Sequence, residues 1–323
     1  MHILKKTQRG VFLLQFKIAA AAGLVLLLLS GCRPQEMPAP EELSSSVVSR
    51  EESPEDSVKA VPYPPDDVLG EGVLDHAQAA VVYCPDTKEV LYGHALHEER
   101  PIASITKIMT AVLGLEAPDR EVTITPAMYA EGSSLYLKAG EVLMLSELVR
   151  GMMVVSGNDA ANAVALATAG SEEAFADRMN EKASSLGMRH SHFVTPSGLD
   201  RPGHYSSAYD MALLCAYAME QEAFAQVVSQ KKMTLQYVLP EGRQQELYNH
   251  NRLLAMCSGC VGIKTGYTQK AGRTLTSCAE RDGRRLIIVT LHDPQDWDDH
   301  CALYDHFFAQ LSEEASVLPE TEP

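Results

Sequence analysis

Pro101-Ile102-Ala103-Ser104-Ile105-Thr106-Lys107-Ile108-Met109-Thr110-Ala111 is the stretch from which the rest of the chain is best read. From Ser104 to Glu116 the apolar residues Ile105, Ile108, Met109, Val112 and Leu115 recur at helical spacing, which predicts a helix with one face in a core. Ser104 and Lys107 share a face of that helix, one turn apart. A serine hydroxyl is a weak nucleophile until a base takes its proton. A lysine serves as that base only where burial or a second cation lowers its pKa. Free backbone N–H groups at a helix start can also stabilise a developing oxyanion. The bland reading makes Ser104 a helix cap and Lys107 a solvated first-turn residue. The tetrapeptide alone decides nothing, because 24 serines and 12 lysines in 323 residues give about one SxxK by chance. A second one, Ser229-Gln-Lys-Lys232, does occur, and it runs into Met233-Thr-Leu-Gln-Tyr237 without a companion motif.

Ser104 does have companions. Ser156-Gly157-Asn158 interrupts a helical region from Ser146 to Ala169, a position from which two polar side chains can enter a cleft; Gly157 is expected to let the backbone turn. Lys264-Thr265-Gly266 lies in a predicted strand, where lysine and threonine suit a carboxylate and glycine lets a substrate backbone approach closely. Each tripeptide has a bland reading as a helix break or an edge-strand residue. The ordered set SxxK, SxN, KTG is specific.

Around these motifs the pattern is mixed. Ala77–Tyr83 and Glu89–Gly93 read as strands joined by the turn Pro85-Asp86-Thr87-Lys88, and Ala208–Glu222 reads as a helix. Val261–Thr268, Arg273–Ala279 and Arg285–Leu291 read as three further strands, followed by a helix over about Asp299–Leu311. Strands at both ends with helices between them predict an α+β fold whose first and last strands meet in one antiparallel sheet.

The order and spacing of the motifs resemble the serine-type D-alanyl-D-alanine carboxypeptidases, the low-molecular-weight penicillin-binding proteins. The likeness extends to Gly132-Ser-Ser-Leu-Tyr-Leu-Lys-Ala-Gly-Glu141, Val155-Ser-Gly-Asn-Asp-Ala-Ala161 and Val261-Gly-Ile-Lys-Thr-Gly-Tyr-Thr268, and covers roughly Ala77 to Phe308. It implies a five-stranded antiparallel sheet flanked by helices, with an all-helical subdomain, as in the β-lactamase and penicillin-binding transpeptidase-like fold. It implies that Ser104 attacks the carbonyl between two D-alanines of a peptidoglycan stem peptide while Lys107 accepts its proton. Ser156 and Asn158 would complete the proton network and position the substrate amide. Lys264 and Thr265 would hold the terminal carboxylate beside Gly266, and the backbone N–H groups of Ser104 and Tyr267 would form the oxyanion hole. No metal or cofactor is implied, and β-lactams would acylate Ser104. Two departures stand out. Fifteen residues follow Phe308, in an acidic stub, at the point where many members carry a second β-rich domain and an amphipathic anchor. The arginine that some members place near the substrate carboxylate has no evident counterpart in Asp296-Trp-Asp-Asp-His300, an acidic run expected to be solvated, so carboxylate recognition falls on Lys264 and Thr265.

The N-terminus reads as an export signal. Lys5, Lys6 and Arg9 precede an apolar run from Ile18 to Leu29, then Leu29-Ser30-Gly31-Cys32. This resembles a bacterial lipobox, with Cys32 as the acylated residue; the alternative is an uncleaved anchor with Lys17 snorkelling. Both readings place the remainder outside the cytoplasm, membrane-tethered through its N-terminus. The expected organisation is a signal peptide over 1–31, an acidic Pro/Glu/Ser-rich spacer over 32–73, the catalytic domain over 74–311 and an acidic tail over 312–323. The net charge of −16 excludes a nucleic-acid surface, and half of it lies in residues 33–75, which hold eleven acids and three bases. Besides Cys32 there are six cysteines, which allow fifteen pairings; they read as apolar fillers with a local disulfide possible, and Cys257-Ser-Gly-Cys260 has no second pair to make a zinc site.

Three rivals weigh less. A class A β-lactamase needs a glutamate to activate the deacylating water. Thr195-Pro-Ser-Gly-Leu-Asp-Arg-Pro-Gly203 contains none, and Glu246-Leu-Tyr-Asn249 lies too near Lys264. A penicillin-acylated sensor would need a cytoplasmic output domain. A metal hydrolase would need ligand spacing that His190, His192, His250, His292, His300 and His306 lack, so these read as surface or packing histidines.

Overall fold

Strands β1 (Ala79–Cys84) and β2 (Glu89–His94) form a hairpin around the expected turn. Next come α1 (Lys107–Glu116), the short pair β3 (Glu121–Thr123) and β4 (Val142–Met144), α2 (Leu145–Val155), α3 (Asn158–Ala169), α4 (Glu172–Ser185), α5 (Ala208–Met219) and α6 (Glu222–Val228). A second hairpin, β5 (Lys232–Gln236) with β6 (Gln244–Tyr248), leads through α7 (Leu253–Met256) to β7 (Cys260–Thr268), β8 (Gly272–Arg281), β9 (Arg284–Leu291) and α8 (Asp296–Val317). This computed structural model describes residues 63–68, 70 and 75–317. The expected signal peptide, the lipid site Cys32 and most of the expected spacer lie outside the described residues.

The main sheet has the order β2-β1-β9-β8-β7 and is antiparallel throughout. First and last strands do meet: Ala79 faces Leu291, and Val81 faces Val289. Successive strand residues point to opposite faces, so each central strand feeds two cores. Ala79, Val81 and Tyr83 of β1 and Ile287, Val289 and Leu291 of β9 join the core shared with α1–α6. Ala80, Val82 and Cys84 of β1 and Leu286 and Ile288 of β9 pack with Leu303, Tyr304, Phe307 and Phe308 of α8. Covering both faces explains why these strands read as unbroken apolar runs rather than as alternating ones. β7 is left at the sheet edge beside the helical half, where the motifs converge.

Several expectations are corrected. The helix expected over 208–222 is two, because α5 stops at Met219 and α6 starts at Glu222. The last helix is longer, Asp296–Val317, and its acidic start is not a solvated surface: Asp296, Asp299 and His300 are buried. Asp296 accepts from Arg273, Asp299 from the backbone N–H of His76, and His300 bonds Ser277 and Thr290. The disulfide is not local but joins Cys257 to Cys301, 44 residues apart, fastening the approach to β7 onto α8. Part of the expected spacer, 63–68, lies on the domain: Val68 pairs with Gly93 of β2, and the Tyr63 ring stacks on His97 under the Arg189 guanidinium. Aromatic and aliphatic contacts outweigh the acidic composition there.

Candidate active site

Ser104 stands in a single 3-10 turn, Ala103–Thr106, that runs into α1 at Lys107. Three neighbours fix this turn. Thr274 of β8 donates its hydroxyl to Ile102 O (3.0 Å), and Thr106 donates to Ala103 O (2.8 Å). Gly266 brings β7 alongside, since a Cβ there would sit 2.4 Å from Thr274 Oγ1 and 2.9 Å from Ser104 N. The glycine of KTG is thus needed for packing within the domain, where the edge strand lies against the N–H of Ser104.

Lys107 is fully buried. Its Nζ donates to Ser104 Oγ (2.8 Å), to Asn158 Oδ1 (2.7 Å) and to the carbonyl of Ser197 (2.6 Å). The Asn158 amide is held in that orientation because its Nδ2 donates to Glu131 O at 2.7 Å. Burial, and then the charge of Lys264, push Lys107 well below the usual lysine range, with Asp159 opposing. Asn158 Oδ1 and Ser197 O can only accept. A neutral Lys107 therefore spends its two protons on them, and its lone pair is left facing Ser104 Oγ, which must donate. The arrangement makes Lys107 a base aimed at one hydroxyl.

The break between α2 and α3 forms as expected, with one correction. The left-handed residue is Ser156 (φ 61°), not Gly157 (φ −60°). Gly157 is needed for room: a Cβ would lie 3.2 Å from Leu135 N. Just beyond, Asp159 accepts from Leu135 N, Leu137 N and Ser134 Oγ, and Asn158 N donates to Ser133 O. The helix start thereby holds the 131–137 loop as one wall of the site.

The cleft has a volume of about 280 Å³. Ser104, Ser156, Thr265 and Gly266 line it, so all three motifs meet in one place. Lys264 is buried behind them, donates to Thr265 O (2.7 Å) and is pushed down to about 7 by burial. Tyr267 is two-thirds exposed at the rim. The decoy Ser229-Lys232 pair is not assembled: Ser229 ends α6 and turns back to Gln226 O, while Lys232 is on the surface pairing with Glu246.

The sequence missed Arg273. Strand register sets it opposite Tyr267, and it lines the cleft with Asp296, Trp297 and His250. Asp296 holds its guanidinium (2.6 Å), and Trp297 lies 5.3 Å beneath it. The acidic run thus contributes the support for an arginine that arrives from β8, so a guanidinium joins Thr265 and Gly266 in the lining of the cleft. Only the β7–β8 register could have revealed it. Ser197 was also missed, because it acts through its carbonyl and leaves no side-chain signal.

The peptidase family S11, D-alanyl-D-alanine carboxypeptidase, matches residues 73–295. The chain belongs to this family. It is 38% identical over 223 residues to D-alanyl-D-alanine carboxypeptidase DacF of Bacillus subtilis, which covers 66% of this chain and 56% of that protein. It is 34% identical over 252 residues to DacB2 of Mycobacterium tuberculosis, covering 75% and 85% respectively. The chain thus spans a little over half the length of DacF and most of DacB2. Among solved structures it is similar to the Streptomyces K15 DD-transpeptidase (TM-score 0.70, 29% identity, 73% of this chain and 98% of that one). It is likewise similar to a D-alanyl-D-alanine carboxypeptidase of M. tuberculosis H37Rv (TM-score 0.70, 31% identity, 79% and 98%). The α+β fold expected from the motifs is the fold of these enzymes.

Proposed function

We propose that this chain is a serine D-Ala-D-Ala carboxypeptidase that trims the terminal D-alanine from peptidoglycan stem peptides. The observation that carries it is the closed set of acceptors around Lys107, which leaves its lone pair on Ser104 Oγ. Ser104 Oγ attacks the penultimate D-alanine carbonyl as its proton passes to Lys107. The N–H groups of Ser104 and Tyr267 receive the oxyanion. The C–N bond then breaks, the leaving amine takes a proton from the Lys107–Ser156 side, and the acyl group remains on Ser104. Water attacks the ester, and Ser104 regains its proton. Lys264, Thr265 and Arg273 bind the terminal carboxylate, and edge strand β7 offers free backbone groups to an extended peptide.

β-Lactams acylate Ser104 on the same footing and leave slowly. Among the residues lining the cleft there is no glutamate, and Glu246 is engaged with Lys232 on the surface. The basic n-region, the apolar run and Cys32 support export and a lipid anchor outside the cytoplasm. Incubation with a peptide ending in D-Ala-D-Ala tests the reaction, with release of one D-alanine per peptide expected. Absence of free D-alanine, together with no penicilloyl adduct by mass, counts against it. The likeness to a DD-transpeptidase supports a second acceptor, an amine in place of water. Added glycine would then appear at the new C-terminus.

A further inference from the structure

His204 lies outside the three motifs, yet it connects two parts of the Lys107 environment. It is buried against the ring of Phe193. Its Nδ1 faces two backbone N–H groups, Val194 N at 3.0 Å and Thr195 N at 3.3 Å. Two donors can be satisfied only by an unprotonated nitrogen, so the ring proton sits on Nε2. Nε2 is 2.8 Å from Thr106 Oγ1, which must accept, because the threonine's single proton goes to Ala103 O. The donor order is thereby fixed as Nε2–H to Thr106, then Thr106 O–H to Ala103 O. One end of the imidazole grips the 3-10 turn that carries Ser104. The other grips the loop whose next residues supply Pro196 O to Thr110 and Ser197 O to Lys107, both at 2.6 Å. The two are in close contact, since a Cβ on Gly198 would lie 1.9 Å from Ala103 O.

We propose that His204, through Thr106, is a positioning residue that holds the Ser197 carbonyl against Lys107 and so keeps the lysine lone pair on Ser104. The inference rests on the acyl-enzyme reading above. A protonated ring would turn Nδ1–H against two other donors and push the 194–198 loop away. Burial, His192 and Lys107 all oppose that proton, pushing His204 down to about 4. His192 itself bonds Gly203 O and is the titratable neighbour on the same loop.

The test follows acylation by a fluorescent penicillin in the full chain and separates the acylation rate constant from the preceding binding constant. Thr106→Val keeps the side-chain shape and removes the hydroxyl. His204→Asn keeps an acceptor for the 194 and 195 N–H groups but cannot reach Thr106. Each is expected to slow acylation about tenfold with the binding constant changed less than about twofold, because the loss is one of orientation. The double variant should be no slower than the slower single one, since both cut the same link. In ¹⁵N-histidine spectra of the wild type, His204 should show unprotonated Nδ1 and should not titrate between about pH 8 and 5. Acylation in Thr106→Val within about twofold of wild type overturns the proposal, as does an ordinary titration of His204. If His204→Asn fails to fold, the threonine variant and the wild-type spectra still decide. A wild-type chain that takes no penicillin, or one whose label survives Ser104→Ala, sinks the acyl-enzyme reading and this proposal with it. Label that depends on Ser104 but ignores Thr106 sinks only the positioning role.

Discussion

Replacing Lys264 by methionine should stabilise the fold while disabling the site, and the gain should depend on pH in a way that identifies its cause. Lys264 is fully buried, and burial takes its pKa from 10.5 to about 7. At about 1.4 kcal/mol per unit, keeping that ammonium charged inside the domain costs about 5 kcal/mol. The sign follows from proton counting. Below about pH 7 folded and unfolded chains both carry the proton, so the whole cost is present. Above it the folded chain is neutral and the unfolded chain still protonated, so the cost shrinks as pH rises toward 10.5. By pH 9 about 2 kcal/mol remains. Methionine has a similar reach and no charge, but its loss of the bond to Thr265 O offsets roughly 1–3 kcal/mol. The expected net gain is about 3 kcal/mol at pH 6 and near zero at pH 9. Relief of Lys107, whose pKa Lys264 also depresses, adds in the same direction. Urea unfolding of wild type and variant at the two pH values measures it, because titrations not coupled to Lys264 cancel in the difference. A gain that is absent at pH 6, or equal at both pH values, would refute the reasoning.

Arg273→Leu should raise KM for a peptide ending in a free D-alanine carboxylate about tenfold with kcat little changed, and leave an amidated peptide unaffected. An equal loss on both peptides would show that Arg273 acts only on the fold. Gly266→Ala should slow acylation about a hundredfold, because the new Cβ forces β7 away from Ser104 N; stopped-flow labelling measures it, and near-normal rates would contradict the close-approach argument. Steady-state pH profiles should show kcat/KM falling as pH rises through about 7, where Lys264 in the free enzyme loses its charge. A bound carboxylate favours the charged form, so the alkaline limb of kcat should lie at higher pH. Coincident limbs would remove Lys264 from carboxylate binding.

The sheet was legible because both of its faces are covered. β1 carries apolar residues at every position and β9 carries them at Leu286–Val289 and Leu291, and the turns beside them carry Pro85 and Gly283. The α2–α3 break was legible because Ser-Gly-Asn interrupts an otherwise continuous helical pattern. α4 escaped notice, since only Phe175, Met179 and Ala183 of its fourteen residues are buried, a stripe one side chain wide. The β5–β6 hairpin escaped for a related reason: it is largely exposed, and Met233, Leu235 and Leu247 are the buried residues of its strands. Within the site, side chains in contiguous motifs could be read directly. Arg273, Asp296 and Ser197 could not, because strand register, a disulfide-fastened helix and a loop carbonyl bring them in from separate parts of the chain.

The central claim is that Ser104 is the residue acylated, with Lys107 as its base. The direct measurement treats wild type, Ser104→Ala and Ser229→Ala with fluorescent penicillin and locates the adduct by peptide mass. The account predicts one penicilloyl group on the peptide containing Ser104 in wild type and in Ser229→Ala, and none in Ser104→Ala. An adduct that persists in Ser104→Ala, or that maps to another serine, would contradict it.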